Sequence, residues 1–302
     1  MTDVLVRTLR DEDTDAVVRR VVGALEADAA REPLIWPHVD VETLAASLRA
    51  SGDATLVAID DEHLVGHLYG FVLPGAAGPE AWTGPDGWSG EASVIDALRR
   101  RAFDGWRASG VASHHVWVSD DASITGAWIE AGYRVHDVRG LRRLDDLDAE
   151  AITPTPAIRR GGAHDLEAAL TFDELIDVAH HQPVAPASAR RRALRELLED
   201  PDVSHHVVEE DGRALAQCIT FALEPTRATP PGTLHVSAVA VVASARRRGV
   251  GRTLVRHVLA EAREEGFIHA QVTWRPDNAP ANAFWSALGF RRTYARLRAT
   301  IS

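Results

Sequence analysis

The stretch LHVSAVAVVASARRRGVGRTL, Leu234 to Leu254, decides how the rest of the chain is read. Its first part, Leu234 to Val242, is rich in β-branched residues that suit a half-buried pleated surface. Three arginines follow, Arg246, Arg247 and Arg248, then Gly249 and Gly251, and a helical pattern begins at once. Strand, basic glycine turn and helix, in that order, form a phosphate-binding device. Glycine lets the backbone approach a ligand, and a helix N-terminus directs free N–H groups and the positive dipole end at an anion. Arginines add charge where a diphosphate needs it. A Walker loop would need Gly-Lys-Ser/Thr, which is absent. A dinucleotide fingerprint would need a third glycine where Leu254 stands. The plain alternative is a solvated arginine cluster ahead of an ordinary helix.

Working outward, 302 residues suggest roughly two domains of about 150. The hydrophobic content of 45% and charged content of 25% are those of a soluble globular protein. A formal net charge of −11 argues against a nucleic-acid surface. The lone Cys218 excludes an intrachain disulfide and fits a reducing cytoplasm. No apolar run approaches the roughly 18 residues of a membrane span. The acidic N-terminus lacks a signal-peptide core.

The chain repeats itself. Arg7 and Asp13 reappear as Arg159 and Asp165. VAIDDEHLVGHLYGF from Val57 lines up with VVEEDGRALAQCITF from Val207, an offset of 150. Trp117, Trp128 and Gly132-Tyr133 match Trp274, Trp285 and Gly289-Phe290 at an offset of 157. Ordered offsets point to two copies of one domain, and alternating strand and helix signals make each an α/β unit. The expected division is 1–145, a linker at 146–157 holding Thr-Pro-Thr-Pro, and 158–302. In the first copy the pattern predicts a strand at Val4–Leu9, strands at Thr55–Ile59 and Leu64–Leu73, a Gly/Pro loop from Pro74 to Gly90, a helix at Ala92–Ser109, a strand at Ser113–Val118, a helix near Ile124–Ala131, and a strand pair after Gly132.

The second copy resembles the GCN5-related N-acetyltransferase (GNAT) superfamily over most of its length. Arg246-x-x-Gly249-x-Gly251 after Val239-Ala240-Val241 matches the family's acetyl-CoA signature. Asn278, Ala281, Phe284, Trp285, Gly289 and Phe290 match its segment after the fifth strand. The tandem arrangement is similar to that of actinobacterial two-domain acetyltransferases. The resemblance implies a mixed, mostly antiparallel sheet flanked by helices, with a splayed central strand pair, Leu234–Val242 and His269–Trp274, admitting the pantetheine arm. Backbone groups at Val239, Ala240 and Val241 would pair with pantetheine amides as an added strand would. N–H groups around Arg247, Arg248, Gly249, Val250, Gly251 and Arg252, with Arg246 and Thr253, would hold the pyrophosphate. Asn278 would touch the pantetheine, and Phe284 would pack against the CoA arm or the core.

Trp285 stands where the family has an acidic Tyr, and an indole N–H is a negligible acid. His235 falls where relatives carry a catalytic base, with Ser237 on the same strand face by alternation, together with Val239 and Val241. Its other reading is a core histidine. The implied reaction is acetyl transfer from acetyl-CoA to a primary amine of a small molecule. The alternatives are a non-catalytic acyl-CoA-binding protein, or acetylation of protein or peptide amines. The partner expected is a small-molecule amine acceptor, with neither nucleic acid nor membrane, in a monomer or homodimer.

The first copy lacks the signature. Gly90 remains, but Glu91 and Asp96 would repel a diphosphate, and Asp121 replaces Asn278. No metal is expected. The pairs His114-His115, His180-His181 and His205-His206 point to opposite strand faces, with no accompanying Cys or HExxH spacing. Cys218 reads as core, and Trp36, Trp82 and Trp88 either line a pocket or cap the core.

Overall fold

The computed structural model describes residues 4–75, 78–147, 157–180, 186–226 and 228–301. Most of the linker expected at 146–157 lies outside them. In chain order the elements are β1 (Leu5–Thr8), α1 (Thr14–Arg31), α2 (Val41–Ser51), β2 (Thr55–Asp60), β3 (His63–Tyr69), β4 (Phe71–Gly75), β5 (Gly78–Thr83), β6 (Trp88–Ser89), α3 (Ala92–Ala108), β7 (Ser113–Ser119), α4 (Ala122–Glu130) and β8 (Arg134–Arg143). There follow β9 (Ala157–Arg160), α5 (Leu166–His180), α6 (Ala187–Glu199), β10 (Val203–Glu210), β11 (Arg213–Leu223), β12 (Thr233–Val236), β13 (Ala240–Val241), α7 (Val250–Glu264), β14 (His269–Trp274), α8 (Ala279–Ala287) and β15 (Arg291–Thr300). No described helix is long and apolar enough to cross a membrane.

Two compact units result, but not in simple chain order. The first comprises Met1–Arg139 with Arg292–Ser302, the second Gly140–Arg291. Strand β8 therefore starts in the first unit and ends in the second, and nearly all of β15 counts with the first. A sequential reading of the repeat has no signal for this, because pattern matching assigns each strand to its nearest neighbours in the chain.

In the first unit, β1, β2, β3 and β6 pair side by side, and β4, β5, β7, β15 and β8 form a second run. Strands β5 and β7 run parallel, from Glu80↔Ser113 to Thr83↔Val116, while β1–β2, β2–β3, β3–β6, β4–β5 and β7–β15 are antiparallel. The predicted Gly/Pro loop thus hides the central strand β5. Its GPEAWT sequence carries turn residues at its start, where Gly78 pairs with Gly75 of β4. The strand expected at Leu64–Leu73 breaks at Gly70, whose backbone sits against the Trp106 ring. A single strand, β8, replaces the pair expected after Gly132. Helix α1 presents Val17, Val18, Val21 and Leu25 at helical spacing, and these pack on Leu44, Ala45 and Leu48 of α2 and Val57 of β2. Burying each large side chain contributes about 1.5–3 kcal/mol.

The second unit repeats the plan with β9, β10, β11, β12, β14 and the end of β8 in order, and with β13 on β11. Here too the sheet contains a parallel pair, β12 with β14. Helix α7 buries Val250, Leu254, Val255, Val258 and Leu259, which anchors the helix so that its N-terminus is held in place. Both units open with the same clip. Arg7 holds Asp13 at 2.6 Å, and Arg159 holds Asp165 at 2.8 Å. The guanidinium hydrogen bonds keep each carboxyl below its ordinary range.

Candidate active site

The cleft of the second unit arises where two strands part. The parallel pairing of β12 with β14 ends at Val236↔Val272. Beyond it, β14 continues through Thr273 and Trp274, while the other chain bulges. Ser237 N–H donates to the Ile219 carbonyl at 2.8 Å, and pairing with β11 resumes at Ala240↔Gln217 and Val241↔Ala216. Ala238 and Val239 therefore oppose the single residue Cys218, which is the definition of a β-bulge. The expected nine-residue strand is interrupted here, and the alternation resets. Ser237 and Ala240 share the face of His235, whereas Val241 turns its side chain to the other face, against Gly251. Placing Val241 on the His235 face is corrected by this extra residue.

The bulge leaves backbone groups facing the gap. Val242 N–H donates to Leu215 O at 2.9 Å, so in the antiparallel alternation the intervening Val241 directs its N–H and C=O away from β11. A cleft of about 200 Å³ fills the gap, lined by Ser237, Val239, Ala240, Val241, Thr273, Trp274, Arg246, Asn278, Ala281 and Trp285, with Leu175 and Ile176 from α5. Seven residues singled out from sequence thus meet in one place.

The loop from Val242 to Gly249 turns the chain into α7. Arg246 Nε donates to the Val241 carbonyl at 3.1 Å, tying the loop to the strand end. Arg247 (φ +61°) and Gly249 (φ +82°) both occupy left-handed conformations. For arginine this is a strained choice, of the kind that concentrates at ligand-binding turns. At Gly251 a Cβ would meet Val241 Cγ2 at 3.1 Å and the Phe284 ring at 3.6 Å, so only glycine leaves both neighbours in place. Val250 is buried, and Thr253 N–H already donates to Gly249 O at 3.0 Å. Arg252 is exposed. Arg248 is drawn to Glu210 at 2.8 Å rather than toward the helix N-terminus.

Asn278 lines the cleft and caps α8, its Oδ1 accepting from Ala281 N–H at 3.1 Å. That leaves its Nδ2 as the donor suited to a ligand. Trp285 is buried, with its ring among Trp274, Phe284 and Phe290. Phe284 is half-buried between Trp285 and Gly251. His235 does not line the cleft itself. It sits two residues before Ser237 on the same face, half-buried, its ring 5.0 Å from Phe221. Gln271 pairs with His235 across β12 and β14. It is 4% exposed, and its Oε1 has no hydrogen-bond partner. Sequence reading passed over Gln271; the available signal was a buried-strand glutamine two residues from Thr273. Tyr294, the tyrosine nearest to Trp285 in the chain, is fully buried in β15.

The corresponding gap in the first unit is closed. Strand β6 pairs with β3 at His67↔Ser89 and Leu68↔Trp88; His67 aligns with Gln217, which pairs with Ala240, so Trp88, one residue before Ser89, takes the place of Val239. Its indole donates to the Trp117 carbonyl of β7 at 3.1 Å and packs edge-on against Trp128. Only Gly90 and Glu91 separate β6 from α3. Asp96 pairs with Arg99 and Arg100, and Asp121 caps α4 as Asn278 caps α8.

With this geometry in hand, the comparisons agree. Residues 171–290 match the acetyltransferase (GNAT) family. A GCN5-related N-acetyltransferase from Sphaerobacter thermophilus has the same fold across 99% of this chain and 96% of its own, at 17% identity and TM-score 0.63. A tandem GNAT protein from the clavulanic acid biosynthesis pathway matches over 99% of both chains, at 16% identity and TM-score 0.54. The glucosamine N-acetyltransferase region of a fungal multi-domain GH3 beta-N-acetylglucosaminidase matches 99% of this chain and 38% of that one, at 18% identity and TM-score 0.57. No curated protein sequence matches. The family match, residues 171–290, lies within the second unit, and across both units the fold is that of these GNAT structures.

Proposed function

We propose that the second unit transfers an acetyl group from acetyl-CoA to the primary amine of a small molecule, by direct attack. The observation that carries this reading is the parted β12–β14 pair. The backbone of Val241 is turned into its gap, and a glycine-led helix N-terminus stands at its end. A pantetheine arm needs such backbone partners, and a diphosphate needs the N–H groups of Val250 to Arg252 with Arg246 beside them. Asn278 Nδ2 supplies a further donor.

In the transfer, the amine nitrogen bonds to the thioester carbonyl carbon, the C–S bond breaks, and the thiolate takes up a proton. The attacking amine must be neutral, so a base must accept its proton. His235 fills that role through the Ser237 hydroxyl or a water, because Ser237 lies between it and the cleft on the same face. Trp285 is no acid, so thiolate protonation falls to water. Gln271 Oε1, beside His235, is an acceptor for an ammonium or amine N–H.

The test is CoA release over a panel of amines, followed by a pH profile. With saturating amine the rate rises with pH as an imidazole loses its proton, and this step disappears in His235→Ala. An unchanged profile in the variant removes His235 from the mechanism. Acetyl-CoA binding without turnover on any amine contradicts the reaction itself.

A further inference from the structure

The face of the second unit's sheet opposite Ser237 carries a cluster that the acetyl-transfer reading does not use. Of the adjacent pair His205-His206, His206 turns toward α7, since neighbours on a strand point to opposite faces. There it meets His257 and Glu261, which stand four residues apart on one side of the helix. One ligand atom from each of the three lies within 4.8 Å of the others. His206 is 2% exposed. Its Nε2 is 2.6 Å from Glu261 Oε2, and its Nδ1 has no hydrogen-bond partner. The His206 and His257 rings stand 5.8 Å apart.

Two imidazoles and a carboxylate form a donor set suited to zinc and its neighbours rather than to calcium or magnesium. The helical spacing of four puts two donors on one side, and the strand supplies the third. Arg160 fixes the carboxylate by holding Glu261 Oε1 at 2.6 Å and Glu265 at 3.2 Å, leaving Oε2 toward the imidazoles. An outer partner of that kind orients a ligand, although its positive charge opposes a cation. Tetrahedral coordination with bonds of about 2.0–2.2 Å requires the donors to sit roughly 3.3 Å apart. The present spread of up to 4.8 Å asks the Glu261 carboxylate and the half-buried His257 ring to turn toward the ion.

We propose that His206, His257 and Glu261 bind a divalent transition-metal ion of the zinc class, with water completing the coordination. The ion would cross-link α7 to β10 and so brace the helix whose N-terminus borders the cleft. The site is independent of the acetyl-transfer reading.

The test is a calorimetric titration of the metal-stripped full chain with zinc chloride, with His257→Ala and Glu261→Gln in parallel and circular dichroism confirming that each variant folds. Wild type is expected to take up a single ion per chain at this site and to gain thermal stability. Each variant should lose at least about tenfold in affinity and lose the stabilisation. Cobalt substitution should give the visible absorption of a tetrahedral site in wild type only. Absence of uptake, or uptake equally strong in both variants, overturns the proposal.

Discussion

The two central gaps of this molecule are built on one plan and differ in what stands in them. In both units a short parallel pairing ends and the strands part, β5 from β7 and β12 from β14. In the first, Trp88 spans the opening and hydrogen-bonds the far strand; in the second, the matching residue is Val239 and a cleft remains. The connection to the next helix differs as well. Gly90 and Glu91 suffice in one, whereas 242–249 form a loop with two left-handed residues in the other. A fold alone therefore does not confer a ligand site. One indole and six fewer loop residues (two against eight) separate a filled gap from an open one.

The largest expected effect comes from copying the plug. Val239→Trp in the second unit should abolish detectable acetyl-CoA binding, a loss of roughly 100-fold or more, since an indole filling the slot removes both volume and backbone partners. Calorimetry measures it, and retention of near wild-type affinity would break the comparison.

A second effect reaches both units through acid. His67 and His114 of the first unit are buried and hydrogen-bonded to Ser89 and to Tyr133 and Thr83. Burial pushes both imidazoles down to about 3. His206 of the second unit is pushed down to about 4 by burial. An unfolded histidine titrates near 6.5, so each contribution is complete above that pH and is lost as pH falls from about 6.5 toward the folded value. At pH 5 each costs about 2 kcal/mol. Amide exchange at pH 7 and pH 5 should show protection falling in β3 and β7 of the first unit and in β10 of the second, by about the same amount for each histidine. Unchanged protection in any one of these strands would contradict the burial of its histidine.

The smallest effect concerns the arginine turn. Because Arg248 is engaged with Glu210 at an exposed position, Arg248→Ala should change acetyl-CoA affinity less than about fivefold, within the roughly 0–1 kcal/mol of a surface ion pair. A larger loss would show that Arg248 swings to the diphosphate on binding.

Much of this was legible in the sequence because chemistry demanded rare residues at fixed spacing. Gly249 and Gly251 are needed by a left-handed turn and a close approach, and the Arg7–Asp13 and Arg159–Asp165 clips mark the repeat. His269–Trp274 was read to the residue, since Gly266 and Pro276 punctuate the chain on either side of it. What escaped has physical reasons. The bulge at Ala238 and Val239 adds a residue without any turn signature, so alternation misplaced Val241. Strand β5 was hidden by Gly78 and Pro79, which read as loop. The membership of β8 and β15 depends on pairing between residues far apart in the chain. Trp88 as a plug was invisible because an aromatic in a loop has no sequence mark for where its ring lies.

The central claim is that this chain holds acetyl-CoA in one place, the β12–β14 gap. Its most direct test is the binding stoichiometry of acetyl-CoA by titration calorimetry on the full chain. A single equivalent per chain is predicted; two equivalents, or none, would contradict it.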